Sequence, residues 1–247
     1  GNIPAAITAY QRAIETDPTN VALYAELARI QVYSSAVLST DNDRRLRLQE
    51  ARQVSEKAVE LDPQSSLAAA VNAFVLNWNA NPTLYDPATA QKTLLAAELE
   101  AVRALNLEKN NTLAMAYYAE ILADQQKIVQ ARQYIQQALA TGEDVMDVHR
   151  VLAYVNESEG NYGEAIKEYK RAAEITPNLT FLYIAIGLNY RVMGERENNP
   201  KSEQYNYALE YFTKAVRINQ QNQVNDPIPY IAIGKTYSQI GEFFSAA

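Results

Sequence analysis

His149 is the only histidine in the sequence, and there is no cysteine. These two counts bound the chemistry. A zinc or similar metal site needs three or four nitrogen, sulfur or carboxylate ligands in register, and neither a second histidine nor a thiolate exists to complete one. Without cysteine there is also no disulfide and no thiol nucleophile. No glycine-rich phosphate loop, triad-like set or paired His–carboxylate pattern occurs. The expectation is that the chain is not an enzyme: no catalytic residue, no metal and no cofactor. His149 is expected to pack between helices.

Two other groups could act on a ligand. Arg44, Arg45 and Arg47 open a helical stretch. Cations there oppose the helix dipole by roughly 0.3–1 kcal/mol each. They could mark a site for an anion or an acidic partner segment, aided by the helix N-terminus. They also suit a solvated face balanced by Asp41 and Asp43, and that plainer reading is the expectation. The seventeen tyrosines offer contact area and a hydroxyl at low entropic cost. Most fall on regularly spaced core positions. Tyr117 and Tyr154 are expected on a groove-lining face instead. The many carboxylates sit at helical spacing and read as solvated faces.

The elements that would hold these residues are amphipathic helices. Between Val145 and Pro177 two short ones are joined at Gly160-Asn161-Tyr162-Gly163 and closed by Pro177. The second carries Ala165, Tyr169, Ala172 and Pro177. The same spacing occurs at Ala6, Tyr10, Ala13 and Pro18, and at Ala51, Ser55, Ala58 and Pro63. It recurs without the proline at Ala97, Ala101, Ala104 and Lys109, at Ala131, Ile135, Ala138 and Glu143, and at Ala208, Phe212, Ala215 and Gln220. Small residues let helices approach while Tyr169 and Phe212 fill the gaps between hairpins. Proline lacks an N–H and clashes with the preceding turn, so Asp-Pro at 17–18 and 62–63 and Thr-Pro at 176–177 punctuate the array. The closing positions 109, 143 and 177 lie 34 residues apart, whereas 18 to 63 spans 45, 63 to 109 spans 46 and 177 to 220 spans 43. The extra residues of these longer repeats are expected between the paired helices, as longer helices plus a loop, near Asp41, Pro82 and Asn198.

A helix–turn–helix period of 34 residues resembles the tetratricopeptide repeat family. The pattern large–Leu–small–Tyr of that family is similar to Tyr183, Ile186, Gly187 and Tyr190, and to Tyr230, Ile233, Gly234 and Tyr237. Asn72 departs from it, standing where a core leucine is usual. The resemblance covers nearly the whole chain. It implies an all-α, right-handed α-solenoid of antiparallel helix hairpins, since one hairpin cannot bury its own apolar face. The expected organisation is a single array. An orphan second helix at 1–18 precedes repeats at 19–63, 64–109, 110–143, 144–177 and 178–220, and a partial repeat follows at 221–247. Both ends fall inside a repeat, so the chain is expected to be a fragment of a longer one. Helices are expected at 2–16, from Thr19 to Leu38, from Arg44 to Leu61 with Asp43 as cap, and from Leu67 to Asn79. Asp86-Pro87 starts another, as an N-cap followed by proline.

In this family the first helix of each hairpin lines a concave groove. The resemblance places Tyr117, Glu120, Arg150, Tyr154, Phe181, Ile184, Leu188, Arg191, Val192, Ile231 and Lys235 there. The C-terminal part is apolar and suits an amphipathic helix or extended peptide. The family's two-carboxylate clamp for acidic C-terminal peptides needs Lys and Asn four residues apart in one first helix and Lys and Arg four apart in another. Ala25 and Arg29, Arg150 and Tyr154, and Ile231 and Lys235 do not match, so no such clamp is expected.

The expected function is a protein–protein interaction scaffold or adaptor with a protein or peptide partner. The alternatives are self-association through open ends, or a docking region of a larger enzyme. The net charge of −7 argues against nucleic acid, which is bound through a basic footprint. No apolar run approaches the roughly 18 residues of a membrane helix, so no membrane insertion is expected. The absence of cysteine fits the cytoplasm, favoured here, and an exported location equally.

Overall fold

The computed structural model describes residues 3–242. Among them are twelve α-helices and no strand. They fall into two compact units that meet in sequence at Asp144 and Val145.

In the first unit α1 (Ile3–Thr16) packs on α2 (Val21–Ser35), which pairs with α3 (Asp41–Leu61). The hairpins α4 (Ser66–Asn79) with α5 (Pro87–Leu107) and α6 (Thr112–Asp124) with α7 (Ile128–Ala140) follow. The first helices α2, α4 and α6 contact one another in sequence order, and each of α3 and α5 packs on the next first helix. In the second unit α8 (Met146–Ser158) pairs with α9 (Tyr162–Ile175) and α10 (Thr180–Glu197) with α11 (Glu203–Gln221). α12 (Ile228–Ile240) packs on α11 and α10. This is the all-α arrangement of helix hairpins that the family resemblance implies.

The alanine frame is the reason. Ala51, Ala58, Ala97, Ala101, Ala104, Ala131, Ala138, Ala165, Ala172, Ala208 and Ala215 are buried, and so are Ile135, Tyr169 and Phe212 between them. Each alanine removes bulk where one helix crosses the next, and each large residue fills the space between crossings. The first helices are enclosed more completely. α4 is buried along nearly its whole length, as expected of helices covered on several sides.

The structure revises several boundaries. α3 starts at Asp41, and its cap is Thr40 rather than Asp43. Thr40 accepts from the Asp43 amide at 3.1 Å and donates to the Asp43 carboxylate at 2.7 Å. The reciprocal bonding satisfies an amide that the helix itself leaves open. α2 is shorter than the expected 19–38 span. The extra residues of the long repeats go mainly into helix. α3 and α5 are each 21 residues, against 13 for α7 and 14 for α9. The extra residues expected near Asn198 are largely the last turn of α10, which ends at Glu197 and is capped by Asn198 in the left-handed region. Asp86 caps α5 as expected, accepting from the Thr89 amide at 3.0 Å with Pro87 behind it. The end of the expected partial repeat, 243–247, lies outside the described residues.

Candidate functional site

In the first unit, α2, α4 and α6 bring four aromatic rings together. Phe74 stacks on Tyr117 with centroids 4.5 Å apart, and Tyr33 lies 5.3 Å from Phe74. Trp78 meets Tyr33 and Phe74 edge-on at 6.2 and 5.9 Å. Tyr117 is fully enclosed, so it is a core residue that the helix face alone misplaced in an open groove. Its hydroxyl accepts from Arg29 Nε at 2.9 Å. Glu120 is also buried, one helical turn from the solvent-facing Asp124.

Beside this cluster lies a cleft of about 550 Å³. Its walls are the C-terminal ends of α4 and α6, the connector 80–86 and the first two turns of α5. Trp78, Pro82, Pro87 and Leu94 supply apolar surface, and Asn77, Asn81, Gln91, Glu120 and Asp124 supply polar groups. Asn77 Nδ2 donates to Asp124 at 2.7 Å, which ties α4 to α6. The connector is built by its own bonds. Asn81 accepts from the Thr83 amide and hydroxyl at 2.9 and 2.8 Å, and the buried Leu84 anchors it. Asn79 holds its start, donating to the carbonyls of Leu48 and Val75. This cleft escaped sequence reasoning. Asn79-Ala80-Asn81-Pro82 marked a break, yet nothing in the letters placed α6 against it.

The second unit holds the other residues read as groove-lining. Arg150 and Ile184 are buried; Tyr154, Phe181, Leu188, Arg191 and Val192 are half-buried; Ile231 and Lys235 are exposed. Ile184, Leu188 and Val192 follow one another at four-residue steps along α10, so they share a face. Ile231 and Lys235 do the same on α12. The 54 % exposure of Ile231 makes it an open apolar position on a helix that touches α10. Below this face Glu157 accepts from the Tyr169 hydroxyl at 3.1 Å and from Asn189 Nδ2 at 3.2 Å. Burial, reinforced by the Glu157 charge, pushes the Tyr169 phenol well above its ordinary pKa, so it stays a hydrogen-bond donor.

His149, Arg44 and Arg47, singled out for chemistry, have structural partners. His149 Nδ1 lies 2.7 Å from Glu168 Oε2, tying α8 to α9. Arg44 donates to the Leu38 carbonyl at 2.8 Å and pairs with Asp41 at 3.4 Å. Arg47 pairs with Glu50 at 3.1 Å. Among the described residues no group of three or more His, Cys, Asp or Glu is placed to hold a metal ion. None of their helices is long and apolar enough to cross a membrane. Sequence reasoning also missed Lys170, whose Nζ donates to the Tyr190 hydroxyl at 2.9 Å and lies over the Tyr190 and Tyr211 rings.

Residues 119–179 match the family model for the tetratricopeptide repeat. No curated protein sequence matches the chain significantly. Solved structures share its fold. A human IFIT1 dimer with m7Gppp-AAAA is 20% identical, with a TM-score of 0.70 over 92% of this chain and 48% of that one. A thermophilic TPR protein of Thermus thermophilus is 20% identical, with a TM-score of 0.58 over 76% of this chain and 90% of that one. The APC/C hetero-tetramer Cut9-Hcn1 is 15% identical, with a TM-score of 0.60 over 100% of this chain and 50% of that one. The chain thus spans about half the length of the IFIT1 and APC/C chains it resembles.

Proposed function

We propose that this chain, whose residues 119–179 match the tetratricopeptide repeat model, is an interaction scaffold that binds another polypeptide, without catalysis of its own, on the faces of its first helices. The observation that carries this reading is the apolar surface of α10 and α12. Leu188 and Val192 are half-buried in a row along α10, and Ile231 stands open on the adjoining α12. A half-buried apolar row at helical spacing, with the exposed Ile231 on the adjoining helix, suits the apolar face of a helix or an extended peptide. In this reading repeats 19–220 act as one array, and no two-carboxylate clamp operates. The sequence pI near 4.9 favours a polypeptide over nucleic acid, whose affinity rests on phosphate neutralisation by Lys and Arg. The IFIT1 structures contain capped or triphosphorylated oligonucleotides; that property belongs to those chains.

The test compares the parent chain with Leu188→Glu and Ile231→Glu in pull-downs from source lysate, after circular dichroism has shown unchanged helicity. One protein retained by the parent and lost from both variants is the expected result. The same proteins on all three baits would remove the α10–α12 face from the reading. Retention only of further copies of this chain would transfer the surface to self-association.

A further inference from the structure

We infer that the cleft formed by α9, α10 and α11 holds the phosphate group of a phosphorylated side chain from a partner polypeptide. It lies on a different face of α10 from the row of Leu188 and Val192 and stands on its own observations.

Tyr183, Ile186 and Tyr190 follow at steps of three and four along α10, so they share a face. On it lies a cleft of about 310 Å³, with the buried Ala173 and Ile186 in its lining. Two ammonium groups line it from different helices, Lys170 from α9 and Lys214 from α11. Aromatic rings position both. Lys170 Nζ donates to the Tyr190 hydroxyl at 2.9 Å and lies 5.3 Å from the Tyr211 centroid. Lys214 Nζ lies 4.6 Å from the Tyr183 centroid. Tyr183 is itself held, its hydroxyl donating to the Pro177 carbonyl at 3.0 Å.

Among the described residues neither lysine has a carboxylate partner, whereas Lys167 and Arg171 beside Lys170 pair with Glu164 and Glu174. Glu174 is the one carboxylate in the cleft lining, and Arg171 offsets it at 2.9 Å. The end of α9 and the start of α10 both border the cleft, and their opposite partial charges offset one another. The two lysines therefore leave local positive charge in a chain of net charge −7. A phosphate monoester brings about two negative charges and three acceptor oxygens, and lysine binds phosphate as a point charge. The Tyr211 hydroxyl lines the same cleft, and its proton has no acceptor among the described residues, so it adds an O–H donor. A carboxylate offers less charge and fewer oxygens. Two cations suit one phosphate, not the run of phosphates along a nucleic acid.

The intact chain with isotope-labelled tyrosine is titrated in NMR spectra with blocked Gly-phosphoserine-Gly and Gly-phosphotyrosine-Gly. The unphosphorylated and glutamate analogues, inorganic phosphate and a terminally phosphorylated trinucleotide are the comparisons. The expected result is a saturable shift of the Tyr183, Tyr190 and Tyr211 signals with phosphopeptide, weaker with glutamate and absent without phosphate. Added salt should weaken it. Lys214→Gln removes an exposed ammonium without a carboxylate partner, so the fold should survive, and it should weaken phosphopeptide binding about tenfold or more. Lys170→Gln should do the same once circular dichroism has shown unchanged helicity. Lys167→Gln, which makes the same change in net charge, and Leu188→Glu should leave the affinity unaltered. No saturable shift with either phosphopeptide, or an unaltered affinity in both cleft variants, would overturn the inference. Equal affinity for inorganic phosphate, or tighter binding of the trinucleotide, would overturn the polypeptide source, whatever the fate of the α10–α12 face.

Discussion

Ser55 on α3 donates to Asn72 on α4 at 3.0 Å, with both side chains buried. Each breaks the repeat pattern on its own helix. Ser55 stands where the other second helices carry Tyr, Ile, Phe or, in α5, Ala101, and Asn72 stands where a first helix carries leucine. The two departures answer one another. A polar atom in a packed core is costly unless paired, and here the pair lies across the hairpin interface.

Removing both partners should therefore cost less than the two single losses added together. Ser55→Ala strands the Asn72 amide oxygen and should lower stability by about 1–3 kcal/mol. Asn72→Ala should cost as much, with a cavity contribution added. The double variant should fall clearly short of the sum, because contacting residues couple. Urea unfolding of the four proteins closes the cycle; strictly additive losses would mean that the bond contributes nothing.

The ends of α6 and α8 share one backbone solution with different residues. Gly160 and Gln126 both lie in the left-handed region, at φ 78° and 62°. In each case the next amide reaches back to an earlier carbonyl of the helix, Asn161 to Asn156 and Lys127 to Leu122, both at 2.8 Å. Glycine suits that position and glutamine is strained there. Gln126→Gly should raise stability by up to about 1 kcal/mol, and Gly160→Ala should lower it by a similar amount. Thermal melts of the two variants should shift in opposite directions.

This pair also illustrates what the sequence could convey. Gly160 announced its turn, and the alanine frame located the buried faces from spacing alone. Gln126 carries no such signal, because its conformation follows from the closure of α6 onto α7. Tyr117 was misplaced for a related reason. Helical spacing gives the side of a helix, but enclosure depends on neighbours such as Phe74 and Arg29 from other repeats. The cleft beside Trp78 was least legible of all, since it exists only where a connector, a helix start and two helix ends meet.

Glu98 on α5 supplies a pH dependence. It accepts from Gln125 at 2.8 Å and from Lys127 at 3.2 Å, joining α5 to the turn between α6 and α7. Burial would raise its pKa, but these bonds, the Lys127 charge and the Tyr118 hydroxyl outweigh it, and the net shift is downward. A carboxyl with a depressed folded-state pKa stabilises the fold above its unfolded value, and this contribution is lost as pH falls through the folded one. Glu98→Gln should therefore be less stable than the parent near neutral pH, and the gap should close at about pH 3. Urea midpoints at the two pH values check this. A gap that persists in acid would assign the effect to packing or to the neutral hydrogen bonds.

Gly187 on α10 faces the ring of Phe212 on α11. A Cβ added at Gly187 would lie 2.5 Å from Phe212 Cε1 and within 3 Å of two further ring carbons. Phe212 is fully buried, so its rigid ring has no open space in which to retreat. Gly187→Ala should then cost about 1–3 kcal/mol despite alanine's better helix propensity. Phe212→Leu alone should also destabilise, by loss of packed volume. Combined, the two changes should cost less than their sum, because the smaller side chain makes room for the new methyl. Denaturant midpoints of the single and double variants measure this. If Gly187→Ala instead stabilised the protein, the contact would be loose and helix propensity the larger effect; a loss that Phe212→Leu does not relieve would locate the strain in the backbone of α10.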